Sequence, residues 1–376
     1  MKLVRRLLLA LVLGLALSAV PATAAARPDA RTAAPPSLRQ LAKGLVAVGA
    51  PGAVVLVHDA KGTRAGAAGF ASLRTRERLG AGHAFRVGSI TKTFVSVVVV
   101  QLAAEGVLRL DDPVERWLPG VVPNGQAITL RQLLNHTSGI YNYTEDPALL
   151  RGMTQNPLAV WPPARLVELA TSHRPLFAPG SRWSYSNTGY ILLGLVVEKA
   201  TGQPVGEELR RRIFVPLGLT RTTFPTAPTL TPPFARGYVP PGNGLVPTPR
   251  GRPADVTTWH PSWAWAAGAL VSTAGDLARF YAALLGGELV GPEALRELKT
   301  TVPVAGGSDG YGLGISQIEL SCAEAWGHGG SVPGYTSLAF SSEDGSRQAV
   351  VLVNISIGSF RLGSRFETAL TSAYCR

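Results

Sequence analysis

The chain has 376 residues, 46% of them apolar and 16% charged, and its 36 basic against 24 acidic residues give a net charge of +12. That balance excludes an intrinsically disordered protein and fits one large or two intimate globular domains. The basic residues are spread along the chain apart from Arg210-Arg211-Arg212, with no basic helix interleaved with aromatics. Nucleic acid is therefore not an expected partner, whereas an anionic polymer such as a bacterial wall is compatible with the charge.

At the N-terminus Lys2, Arg5 and Arg6 precede an apolar stretch from Leu7 to Leu17, followed by Ala22-Thr23-Ala24 and Ala25-Ala26. This is the layout of a secretory signal over residues 1–24, cleaved near Ala24 or Ala26. The apolar stretch falls short of the about 20 residues needed to span a bilayer, and no later segment reads as a span. Secretion into the medium or the cell-wall space is the expectation, with a flexible segment over 25–36. Export permits disulfides, and Cys322 and Cys375 are the only two cysteines, so they are expected to pair. Closing a loop of that size stabilises by roughly 4 kcal/mol in the chain-entropy account.

Residues 37–110 read as the first part of an α/β domain. Ser37 to Val48 is a helix capped by Ser37. Ala53 to His58 and Ala65 to Gly69 are strands joined by the turn Asp59-Ala60-Lys61-Gly62. Phe94 to Ala104 is a buried helix in spite of the β-branched run Val97 to Val100, because its length and the Glu105-Gly106 ending outweigh propensity. Residues 111–269 read as mainly helical, with helices over Thr129–Leu134, Pro162–Ala170 and Tyr190–Ala200. A proline-rich loop or lid from Pro225 to Pro261 then runs into Trp259, Trp263 and Trp265. Residues 270–376 return to strands (Gly310–Gln317, Tyr335–Phe340, Ala349–Asn354) with an Asp344-Gly345 turn and a closing helix over Phe360–Tyr374. Strands, helices, then strands imply an α+β protein: an antiparallel sheet built from both chain ends, flanked by helices, with a helical insertion.

Chemistry concentrates in three short segments. In Ser89-Ile90-Thr91-Lys92, a three-residue offset at helical pitch puts an amine beside a hydroxyl, as an activated nucleophile requires. Such a pair also arises by chance on helix surfaces, but Lys92 is the only lysine with a serine three positions upstream. Tyr185-Ser186-Asn187 offers a phenol and an amide to one side of an extended segment. His328-Gly329-Gly330-Ser331 opens a late strand whose small residues allow a substrate backbone against its edge. The histidines (His58, His83, His136, His173, His260, His328) show no paired-ligand spacing and no acidic cluster beside them, so neither metal nor cofactor is expected.

Ordered S-x-x-K, Y-x-N and H-x-G motifs resemble the serine penicillin-recognising enzymes. These are the serine-type D-alanyl-D-alanine carboxypeptidases and class C β-lactamases, and the likeness is greatest to the exported actinobacterial carboxypeptidase branch. It extends to Phe85-Arg86-Val87-Gly88, to Asn135-His136-Thr137-Ser138-Gly139, to Tyr311-Gly312-Leu313-Gly314 and to both cysteines. It implies the β-lactamase/DD-peptidase-like fold and a serine hydrolase working through an acyl-enzyme on D-amino-acid peptides, a peptidoglycan stem peptide above all. β-Lactams would be covalent ligands. It further implies Ser89 as nucleophile, Lys92 or Tyr185 as base, Asn187 on the substrate amide, and His328 near the leaving group. The N–H groups of Ser89 and Ser331 would form an oxyanion hole, with Gly329, Gly330, Trp263 and Thr144 lining the substrate pocket; Trp263 equally suits a core. Two departures bear on substrate: Gly329 replaces a threonine, and Ser316 stands where the carboxypeptidase branch has a carboxylate-binding arginine. An esterase, a β-lactamase or a silent wall-binding module are the alternatives.

Overall fold

A computed structural model describes residues 35–246, 248, 251–304 and 309–376. The expected signal and all but the end of the segment after it lie outside the described residues. Helix α1 (Leu38–Ala47) starts at Ser37, which forms a reciprocal capping box with Gln40. Strands β1 (Gly52–Asp59) and β2 (Gly62–Gly69) follow, then α2 (Thr91–Ala104) and, after the insertion's shorter helices, α3 (Asn187–Thr201). Beyond these come α4 (Ala274–Leu285), strands β3 (Val302–Pro303), β4 (Gly310–Tyr311), β5 (Ser316–Glu319), β6 (Glu324–Val332), β7 (Tyr335–Ser341) and β8 (Gln348–Val353), and α5 (Phe360–Tyr374).

The eight strands form one antiparallel sheet in the order β2-β1-β8-β7-β6-β5-β4-β3, so the first hairpin is completed by the last strand. Alternation sorts each strand's side chains between two cores. Val54, Leu56, Val350 and Leu352 face α2 and α4, while Ala53, Val55, Val57, Val351 and Val353 face α1 and α5. The sheet is therefore sandwiched between helical layers, which is why β1 and β8 read as unbroken apolar runs rather than alternating ones. Cys322 and Cys375 are joined, tying the end of α5 to the loop before β6.

Between the sheet-forming ends the chain is mostly helical, with one small ribbon pairing Tyr238–Val239 to Ala254–Asp255 inside the proline-rich loop. Arg86 clasps that loop from beneath: its buried guanidinium donates to the carbonyls of Pro228, Thr257 and Trp259. Helices α2 and α3 are apolar on nearly every face and cross in the centre of the molecule. Burial on all sides overrides the β propensity of Val97–Val100. The expected strand over Gly310–Gln317 is two short strands, broken by a tight turn in which Gly314 has φ +74°. Strand β6 begins at Glu324, so His328 lies mid-strand rather than at its opening.

Candidate active site

Ser89 sits in a single 3₁₀ turn, Gly88–Ile90, that leads into α2, and Lys92 occupies the first turn of that helix. The tighter turn brings the two side chains together across the junction. Lys92 Nζ lies 3.1 Å from Ser89 Oγ, 2.7 Å from Asn187 Oδ1 and 2.7 Å from the Ala267 carbonyl. The last two partners can only accept, so they consume two N–H bonds of the amine. What remains is aimed at Ser89, and on a neutral amine it is the lone pair. Burial drives Lys92 well below the usual lysine range, towards that neutral form.

The turn carrying Ser89 packs directly on β6. Gly88 has φ +53°, and a Cβ there would sit 2.7 Å from Ser331 N, so only glycine permits the approach. Ser337 Oγ fastens the same junction by donating to the carbonyls of Val87 (2.9 Å) and Gly330 (3.2 Å).

Asn187 is the first residue of α3, Ser186 is its N-cap residue, and Tyr185 stands immediately before that cap. Asn187 is thus helical rather than part of an extended pair. Its Nδ2 donates to Asn142 Oδ1 (3.2 Å) and Thr144 Oγ1 (3.0 Å), which leaves Oδ1 turned to Lys92. In this state both amide hydrogens are engaged, so Asn187 acts on Lys92. Tyr185 is buried beside Ser89 and Lys92, whose amine lies 4.9 Å from its ring centre. Burial pushes the phenol up, only partly offset by the Ser89 hydroxyl, and Oη has no hydrogen-bond partner of good geometry.

His328 is fully buried and both ring nitrogens are occupied, Nε2 by Tyr311 Oη at 2.9 Å and Nδ1 by the Gly329 carbonyl. Burial, reinforced by the Lys92 amine, pushes it down to about 3. It does not line the cleft. The cleft, of about 70 Å³, is lined by Ser89, Tyr185, Asn187, Thr144 and Trp263, and by Gly329, Gly330 and Ser331 along the β6 edge. Tyr143 Oη donates to the Trp263 carbonyl at 2.6 Å, and the partly buried Trp263 both packs against the core and borders the cleft. Among the described residues no Asp, Glu, Arg or Lys side chain lines it. Ser316 lies beneath, in β5, wholly buried and with its Oγ unpartnered. A Cβ on Gly329 would meet Leu338 Cδ2 at 3.2 Å, so leucine crowds the space a threonine would take.

The apolar helix behind the serine and the desolvated lysine thus set a hydroxyl against a buried amine at one end of the cleft. The profile of the family described as Beta-lactamase matches residues 38–370, and the chain belongs to that family. The putative penicillin-binding protein PbpX of Bacillus subtilis is 30% identical over 273 residues, 72% of this chain and 62% of that protein. The chain spans between 37% and 64% of the length of the curated relatives it matches. Among solved structures, a D-stereospecific amidohydrolase from Streptomyces sp. superposes with a TM-score of 0.80 at 42% identity, covering 87% of this chain and 96% of that one. The D-amino acid amidase of Ochrobactrum anthropi follows with a TM-score of 0.79 at 28% identity, covering 89% and 96%. Asn142, His136 and Tyr311 contribute to the site without having been singled out for a role in the sequence. The motifs holding His136 and Tyr311 were visible there, whereas Asn142 carries no motif.

Proposed function

We propose that this protein is an exported serine hydrolase that cleaves amide bonds of D-amino-acid derivatives bearing uncharged leaving groups. The reading rests on one observation: a buried amine whose remaining valence faces the Ser89 hydroxyl. In acylation, Ser89 Oγ attacks the substrate carbonyl carbon while its proton passes to Lys92 Nζ. The resulting oxyanion is held by the N–H groups of Ser89 and Ser331. As the C–N bond breaks, the amine leaves with the proton from Lys92, and water then hydrolyses the ester on Ser89. Lys92, shifted down, suits the base at neutral pH better than Tyr185, shifted up. Tyr185 stays a phenol and steers the proton.

Substrate choice follows from the neutral lining. A C-terminal carboxylate finds no arginine or lysine in the cleft among the described residues, which forgoes about 1.5–3 kcal/mol of charge-assisted hydrogen bonding. Release of terminal D-alanine, the reading implied by the carboxypeptidase branch, therefore ranks behind hydrolysis of amides such as the D-stereospecific amidohydrolase's class. β-Lactams, which present a strained cyclic amide to Ser89, are expected to acylate it. Steady-state hydrolysis of D-phenylalanine amide, its L-enantiomer and a diacyl-Lys-D-Ala-D-Ala peptide tests the proposal. Preference for the D-amide supports it, and faster turnover of the D-Ala-D-Ala peptide restores the carboxypeptidase reading. N-terminal sequencing of protein from the medium tests cleavage near Ala24 or Ala26.

A further inference from the structure

Behind the cleft runs a continuous buried chain of hydrogen bonds. Ser186 N–H donates to His136 Nδ1 at 3.2 Å. Because Nδ1 accepts, a neutral His136 carries its proton on Nε2, which lies 3.1 Å from Tyr311 Oη. Tyr311 has a single proton. Tyr190 Oη stands beside it but gives its own proton to the Leu134 carbonyl at 2.7 Å and is bonded to Ser96 Oγ at 3.1 Å. The Gly329 carbonyl can only accept, so a neutral His328 carries its proton on Nδ1 and its Nε2, 2.9 Å from Tyr311 Oη, takes the Tyr311 proton. Each link fixes the next, and the two imidazoles must adopt opposite tautomers.

The endpoints say what the chain does. Ser186 lies between Tyr185 and Asn187, and Gly329 precedes the Gly330-Ser331 edge. The chain thus ties the α3 wall of the cleft to the β6 wall through the packed interior. His136 is held at φ +62°, a conformation costly for a residue with a side chain, and one that the surroundings must enforce. Its ring also packs 4.2 Å from that of Tyr185.

We propose that His136 and Tyr311 are positioning residues that, through His328, set the spacing of the two cleft walls, and that His328 exchanges no proton with substrate. The assignment deepens the hydrolase reading above. The titratable groups around the two rings are Lys92 from α2, Tyr185 from the segment just before α3, Tyr190 from α3, and Tyr311 from β4. None is a carboxylate, and burial first of all pushes both imidazoles towards the neutral form.

Two experiments test it on the full chain. Long-range ¹H–¹⁵N correlation of the ring nitrogens needs no substrate, so it fails or succeeds independently of the enzymatic reading. It should show one Nε2–H and one Nδ1–H histidine, both neutral from about pH 5 to 8. His136→Gln and His328→Gln assign the two signals; where a variant does not fold, their failure to titrate identifies them. An imidazolium at either position, or His328 protonated on Nε2, overturns the proposal. The second experiment is Tyr311→Phe, which should lower kcat by about 10²-fold while KM moves less than about threefold. It should leave His328 neutral, because burial and not the Tyr311 hydroxyl holds that imidazole down. Unchanged kcat, or a loss confined to KM, overturns it.

Discussion

Lys92 and His328 are the nitrogen bases of the first and third motifs, and both are completely buried. Burial pushes both towards the neutral form, yet they end with different capacities. Lys92 meets two pure acceptors and keeps one direction for Ser89, whereas His328 has a donor on one nitrogen and an acceptor on the other. Desolvation alone therefore does not mark a reactive base. Unspent hydrogen-bonding capacity facing the substrate does.

Lys92→Ala offers the sharpest way to break this comparison. Loss of a positioned general base is expected to cut kcat/KM by about 10²–10⁴-fold, with Ser89 still present. Acylation kinetics with a coloured β-lactam or an ester substrate would read the loss, and a variant within about tenfold of wild type would remove Lys92 from the base role. The pH profile follows with its sign fixed. The active amine is the neutral one, so activity is present above the lowered Lys92 value and disappears as pH falls through it. His328, shifted to about 3, contributes no limb in the neutral range. A second limb that vanishes in His328→Gln would transfer proton exchange to the imidazole.

Legibility in the sequence divides along the same line. Lys92 was readable because its partner is local: a three-residue offset needs only helical pitch to bring amine and hydroxyl together. The strands β1, β7 and β8 and the helix α5 were readable from short-range apolar patterns and turns. The fate of His328 was not readable, because its partner Tyr311 comes from another strand and His136 from a loop after a distant helix. Nothing near residue 328 in the chain reveals that both nitrogens are already bonded. Ser316 shows the same gap. Alignment with an arginine position suggests a cleft residue, but the turn at Gly312–Ile315 delivers it into the sheet's interior, where Ser316→Arg would bury an unpaired guanidinium.

Tyr185→Phe sharpens the comparison from the other side. A phenol raised by burial is a poor base at neutral pH, so its removal should cost less than removal of Lys92. We expect a loss nearer the low end, about 10²-fold, of the range for proton-transfer groups. Stopped-flow acylation of both variants side by side decides it, and a larger loss in Tyr185→Phe would make the tyrosine the base.

The smallest expected effect tests the junction itself. Ser337→Ala removes the hydroxyl that donates to the Val87 and Gly330 carbonyls, leaving these buried acceptors one donor short. Stability should fall by about 1–3 kcal/mol, the cost of an unmet buried polar group, read as a lower denaturant midpoint at unchanged slope. If the fastening only holds the fold, kcat/KM stays at the wild-type value. If it also sets the distance between the Ser89 turn and the Ser331 edge, kcat falls as well. The second outcome is expected, because Gly88 is pressed against Ser331 N too closely for any larger residue to fill a widened gap without strain.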